Sequence, residues 1–158
     1  MHNSRMSGPL IAIVWGGAAC AILDGVAASV QFALKGIEPL RVWQGVASGV
    51  LGETAFRQGW AGGSLGLLLH SMIAFTATAV FVEACPQLPF LAQAWWISGP
   101  LYGVLVFLVM NLIVVPLSAR PKRPASSKVI IVQLIVHVLF VGLPIAMAAN
   151  RFLVRRKL

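Results

Sequence analysis

Residues 94–117 read AWWISGPLYGVLVFLVMNLIVVPL, a run with no charged side chain and a single amide, Asn111. As a helix rising 1.5 Å per residue, a run of this length crosses the roughly 30 Å hydrocarbon core of a bilayer. Three further runs are long and apolar enough to do the same, at residues 10–34, 62–84 and 129–150. Backbone polar groups in lipid must pair within their own segment, so helices are the expected form. The alternation of a membrane barrel strand is absent. The expected fold is all-α: an integral membrane bundle of four transmembrane helices, with residues 1–158 forming one transmembrane domain.

Composition points the same way. The chain has 158 residues, 59% of them hydrophobic and 10% charged, with mean hydropathy +0.89. Soluble domains run near 25% charged, and a soluble chain this short could not hide so much apolar surface in one core. Twelve Lys and Arg against four Asp and Glu give a net charge of +8. No aromatic–basic face or zinc-ligand spacing accompanies that charge, so nucleic acid is not an expected partner. The cations fall in loops and the tail, where they can meet the headgroups of membrane lipids.

Punctuation between the runs agrees. Pro86 and Pro89 break the chain after the second run, and Arg120-Pro121-Lys122-Arg123-Pro124 is too charged for hydrocarbon. Asn150-Arg151 opens a basic tail, residues 151–158. Trp60, Trp95 and Trp96 stand near run ends, where indole prefers the headgroup zone. Gly17-Ala18-Ala19-Cys20 faintly matches a lipoprotein cleavage box. Gly17 holds the usual leucine position, however, and the apolar run continues to residue 34, so an uncleaved first span is expected. Cys20 and Cys85 make no disulfide framework and read as small packing residues.

Residues 36–61 differ from the spans. Pro39 follows Glu38 and suits a first helical turn. Trp43, Val46, Ala47 and Val50 share one helical face, and Arg41, Gln44, Gly45 and Ser48 another. The pattern predicts a short amphipathic helix over residues 39–52, between the first and second spans. Too short to cross, it would lie in the interface as a cap or dip in as a re-entrant segment. Small residues recur at four-residue spacing: Gly25 and Ser29, Gly45 and Gly49, Gly62 and Gly66, Gly99 and Gly103. In lipid this spacing lets helix backbones approach closely. Gly142 and Pro144 predict a bend in the fourth span.

Four spans put both termini on one side with Arg5, Arg151, Arg155, Arg156 and Lys157. The other side carries Lys35, Arg41, Arg57, Arg120, Lys122, Arg123 and Lys128. The positive-inside rule leans toward external termini.

Charged and imidazole side chains are costly in a bilayer, so each asks for a partner. Here they are Asp24, His70 and His137, with Asn111 and Gln133 beside them. Counting rises from the nearest span ends puts Asp24, His70 and His137 about 12–15 Å deep, measured from one face, and Asn111 and Gln133 about 8–9 Å. Each span thus contributes a polar group to the same half of the bundle. Facing inward, Asp24 would pair with a histidine and fix its tautomer. The cluster could be interhelical glue, or it could handle protons or a small solute. Ligation of haem by His70 and His137 is a further option. Asp24 with the two histidines offers only a weak metal set, since no HxxxH pair or second carboxylate joins them. Glu38, Glu53 and Glu83 read as acids at headgroup level or in loops. No nucleophile elbow, phosphate loop or acidic pair is present, so catalysis is not expected.

Leu23-Asp24-Gly25, GIEPLRVWQGVASGVLG at residues 36–52, LLLHSMIAF at residues 67–75 and PLYGVLVFLVMNLIVVPLSA at residues 100–119 resemble a family of small, uncharacterised four-helix bacterial inner-membrane proteins. The resemblance covers residues 23–119 and implies the fold and a bacterial inner membrane, without implying an activity. Three roles are left open. The chain could be a small membrane protein whose polar cluster is structural or handles protons or solute. It could be an accessory subunit that docks other membrane proteins, or further copies of itself, through glycine faces. It could be a haem-binding redox protein.

Overall fold

The computed structural model describes residues 7–122 and 126–154, and they contain helices and turns but no strand. Four helices are long and apolar enough to cross a membrane: α1 (Gly8–Ala33), α3 (Gly59–Ala84), α5 (Trp95–Leu117) and α6 (Ser127–Val154). Between the first two of them lies α2 (Pro39–Leu51), followed by a 3-10 segment, Gly52–Arg57. A short helix, α4 (Phe90–Gln93), leads into α5. Arg5, Arg123, Pro124 and the basic tail from Arg155 lie outside the described residues.

The helix ends have local causes. After α1, Gly36 takes φ 74°. Its N–H donates to Ala33 and that of Ile37 to Phe32, the paired bonds that close a helix end on a left-handed residue. Pro39 then opens α2 with Glu38 as its N-cap. Proline is also handled locally in the longer helices. A π-helical segment, Met110–Val114, precedes Pro116, and another, His137–Gly142, precedes Pro144. Widening the turn there relieves the ring's clash with the preceding carbonyls, so each helix continues as a span. The fourth helix also runs on through Arg151 to Val154, beyond the boundary expected at residue 150.

The glycine pairs are used unequally. A side chain at Gly66 would strike the carbonyl of Trp43, and one at Gly62 the carbonyl of Ala55, so α2 and its 3-10 extension lie directly on the α3 backbone. Gly99 and Gly103 receive Gly142 and the His137 carbonyl in the same way, at the crossing of α5 and α6. Gly45 has open space around it, and Gly49 touches only Ser118.

Packing against α3 buries residues from both faces of α2. The buried residues are Gln44, Ala47 and Ser48, while Val50 is 63% exposed. Gln44 is held by its amide, which donates to the Gly59 carbonyl at 2.9 Å. Small and polar side chains permit the close approach, while Val50 looks outward and Val42 and Val46 are half-buried.

The core is confined to one half of the molecule. It joins Ala12 and Cys20 of α1, Ala74, Phe81 and Val82 of α3, and Val141, Ile145, Ala146 and Ala149 of α6. Tyr102 on α5 donates to the Ala77 carbonyl at 2.7 Å and meets Phe81 edge-on, which ties α5 to α3. Asn150 donates to the Ala92 carbonyl at 2.8 Å and fixes α6 to α4. Cys20 and Cys85 are both free and buried. The other half is packed where α2 meets α3 and open toward the end of α5 and the start of α6. No residue of Met110–Val114 or Ser127–Val136 is buried, and α1 packs closely on α6 only from His137 onward.

Candidate functional site

Where α1 and α6 part, a cleft of about 1600 Å³ opens between α1, α2, the end of α5 and the start of α6. Asp24, Ala28, Gln31 and Lys35 reach it from α1 at helical spacing, facing Val129, Gln133, Val136 and His137 on α6. The N–H of Ala119 donates to the Gly49 carbonyl at 2.9 Å and links the end of α5 to α2 behind the cleft.

All five residues singled out by depth, Asp24, His70, Asn111, Gln133 and His137, line this cleft. They stand on two walls. On one, Asp24 Oδ2 lies 3.9 Å from His70 Nδ1, with both side chains largely buried. His70 Nε2 is 3.0 Å from the Ala21 carbonyl. A carbonyl only accepts, so Nε2 carries a proton and donates it. In the neutral ring Nδ1 is then a lone pair turned toward Asp24; in the cation it is a second N–H aimed at the carboxylate. At 3.9 Å the pair is too long for a direct hydrogen bond. The Trp43 ring meets His70 edge-on at 5.4 Å and closes this wall from α2. Gly25 makes the junction possible, because a Cβ there would sit 2.9 Å from the Trp43 ring.

On the other wall, His137 Nδ1 donates to the Gln133 carbonyl at 2.9 Å, within its own helix, and the ring lies edge-on to Phe107. Asn111 donates to the Phe107 carbonyl at 2.9 Å, again within its own helix. Among the described residues, Asp24 lies within 4.0 Å of a ring nitrogen of His70 and not of His137. The cluster is therefore an Asp–His pair facing a His, Asn and Gln across a gap.

Around the cleft stand Lys35, Arg41, Arg57, Arg120 and Lys122, together with Glu53. Arg41 donates to the Phe56 carbonyl at 3.4 Å and lies over the Phe56 ring. Lys35 lies over Phe32. Counting spans put these cations on one side of the bundle, but it could not bring them around one cleft, because they come from separate segments of the chain. Trp43 was legible as a helix-face residue but not as the wall of a histidine site.

Haem would need a ring nitrogen from each histidine. Both nitrogens of His70 are directed at Ala21 and Asp24, so iron ligation would break one of those contacts. Among the described residues, no group of three His, Cys, Asp or Glu is placed to hold a metal ion. Comparison with protein-family models, curated proteins and solved structures finds no match. The family resemblance therefore rests on the quoted motifs alone.

Proposed function

We propose that this chain is a multi-pass protein of a bacterial inner membrane that admits a polar solute from one face into the cleft. Asp24 and His70 form the floor and exchange a proton as the solute enters or leaves. The supporting observation is that polar side chains from four helices line one open cleft while the opposite half is close-packed. A purely structural pair would gain most from the packed half, where Tyr102 and Asn150 make short bonds to carbonyls. The Asp–His pair lies instead against the open cleft. Helical rather than barrel spans favour an inner membrane, and the quoted motifs favour a bacterial one.

Chemically, a proton arriving at His70 Nδ1 turns the contact with Asp24 into an ion pair, and a proton on Asp24 removes it. A hydrogen-bonding group of the solute between the two walls would compete for the contact between Asp24 and His70, with Asn111 and Gln133 as neutral partners opposite. Passage right across would require the packed half to open, or a second copy of the chain to complete a path. In this reading α2 lies at the interface as a fixed cap, held by the glycines of α3.

Thiol labelling in oriented vesicles tests the proposal. Cysteines introduced as Asn111→Cys and Gln133→Cys should react with a membrane-impermeant maleimide from the face that carries the α1–α2 connection. Ile22→Cys and Leu105→Cys, on outward apolar surface, should stay unlabelled, as should buried Cys20 and Cys85. Equal resistance at all four introduced positions contradicts the proposal.

A further inference from the structure

We infer that the occupant of the cleft is an anionic amphiphile, a phosphate-headed membrane lipid whose headgroup meets Arg41, Arg57 and Arg120 and whose chain leaves between α1 and α6. The inference rests on the reading of the cleft as open, and it specifies the class of ligand.

Charge is the first argument. Five cations and two acids line the cleft, and among the described residues no carboxylate lies within 4.0 Å of any of the five cations. Asp24 is engaged with His70 instead. Arg41 uses one guanidinium nitrogen on a backbone carbonyl and keeps the rest of its fork for a ligand. Guanidinium forks match the geometry of phosphate oxygens, and a cleft lined mainly by one sign of charge raises the local concentration of its counter-ion.

Size and wall chemistry select an amphiphile over a small anion. Sites for small molecules occupy roughly 300–1000 Å³, and this cleft exceeds that at about 1600 Å³. Its walls include Phe32, Val42, Val115, Val129 and Val136, which offer nothing to a hydrated ion but suit a hydrocarbon chain. The gap between α1 and the unburied start of α6 supplies a sideways route from the bilayer. A lipid entering this way would keep its headgroup level with the cations and its chain within the apolar layer.

The test is calorimetric titration of the full chain, delipidated in a neutral detergent, with three probes: dioctanoyl phosphatidylglycerol, dioctanoyl phosphatidylcholine and inorganic phosphate. The glycerol lipid should bind saturably, about tenfold tighter than either of the others. The Arg41→Gln/Arg120→Gln variant should lose about tenfold in affinity. Arg120→Gln alone, at an exposed position, should lose part of it, and Arg151→Gln, outside the cleft, none. Equal binding of the two lipids means unspecific contact and overturns the inference. Phosphate binding as tightly as the glycerol lipid means a plain anion site and also overturns it. A loss in Arg151→Gln equal to that in the double variant attributes the effect to bulk charge and overturns it as well. If no lipid binds while Gln133→Cys is still labelled from water, this inference fails and the open cleft stands; loss of that labelling removes the cleft itself.

Discussion

His70 is where sequence-distant parts of the chain meet. Its ring touches α1 through the Ala21 carbonyl and Asp24, and α2 through Trp43. The carbonyl bond orders the tautomer, and the longer contact with Asp24 leaves room for a proton or a water. Asp24→Asn and His70→Gln should each lower stability in mild detergent by about 1–3 kcal/mol, the cost of an unmatched polar group in a partly buried site. The double variant should lose less than the sum of the two, because the second change removes a partner already orphaned. Strict additivity in thermal unfolding would show that the residues do not interact. Gly25→Ala tests the same junction sterically. Its Cβ would press on the Trp43 ring from 2.9 Å, and a loss of about 1–3 kcal/mol is expected as the ring is pushed against His70.

At the level of elements, α2 shows both what sequence pattern conveys and where it misleads. The helix and its start at Pro39 were legible from proline placement and periodicity. The face that packs on α3 was not, because an amphipathic pattern alone does not say whether its apolar residues meet protein or lipid. Next to a bilayer, outward is also apolar, and small residues take the interior by allowing backbones to touch. Gln44 and Ser48 therefore face α3 and Val50 does not. The glycine spacing at Gly62 and Gly66 carried the real signal, although spacing alone could not name α2 as the partner. Gly66→Ala should undock α2, since the clash is with backbone at Trp43, which cannot rotate away as a side chain can. The expected result is a lower melting temperature and faster proteolysis within residues 36–58; unchanged proteolysis would contradict the packing. The helix of α6 continues past its apolar run: Arg151 reads as tail, yet it lies in the helical segment Asn150–Val154, where a long basic side chain can reach the headgroups.

On the scale of the whole molecule, the chain is asymmetric along the bundle. The half containing the termini is sealed by alanines, glycines and the Tyr102 and Asn150 bonds; the half containing α2 is held apart and lined with polar and basic groups. Four long apolar runs could be read directly from the residues, and counting rises along them assigned Asp24, His70 and His137 a common depth. That depth could not tell one wall from two, because helical rise fixes height and says nothing about lateral separation. Gly142→Val should act on the sealed half, where a side chain would strike the Gly99 carbonyl. Separation of α5 from α6 should then appear as loss of a monodisperse, thermally cooperative species, while wild-type behaviour would contradict the crossing.

The meeting of a carboxylate from α1 with an imidazole from α3 underlies the floor of the cleft, and solid-state NMR in lipid bilayers measures it most directly. With His70 labelled in 15N and the Asp24 carboxyl in 13C, dipolar dephasing should report an Nδ1–Cγ separation within one C–O bond, about 1.2 Å, of the 3.9 Å between Nδ1 and Oδ2. Absence of dephasing, which places the groups roughly a helix diameter, about 10 Å, apart, would contradict the account.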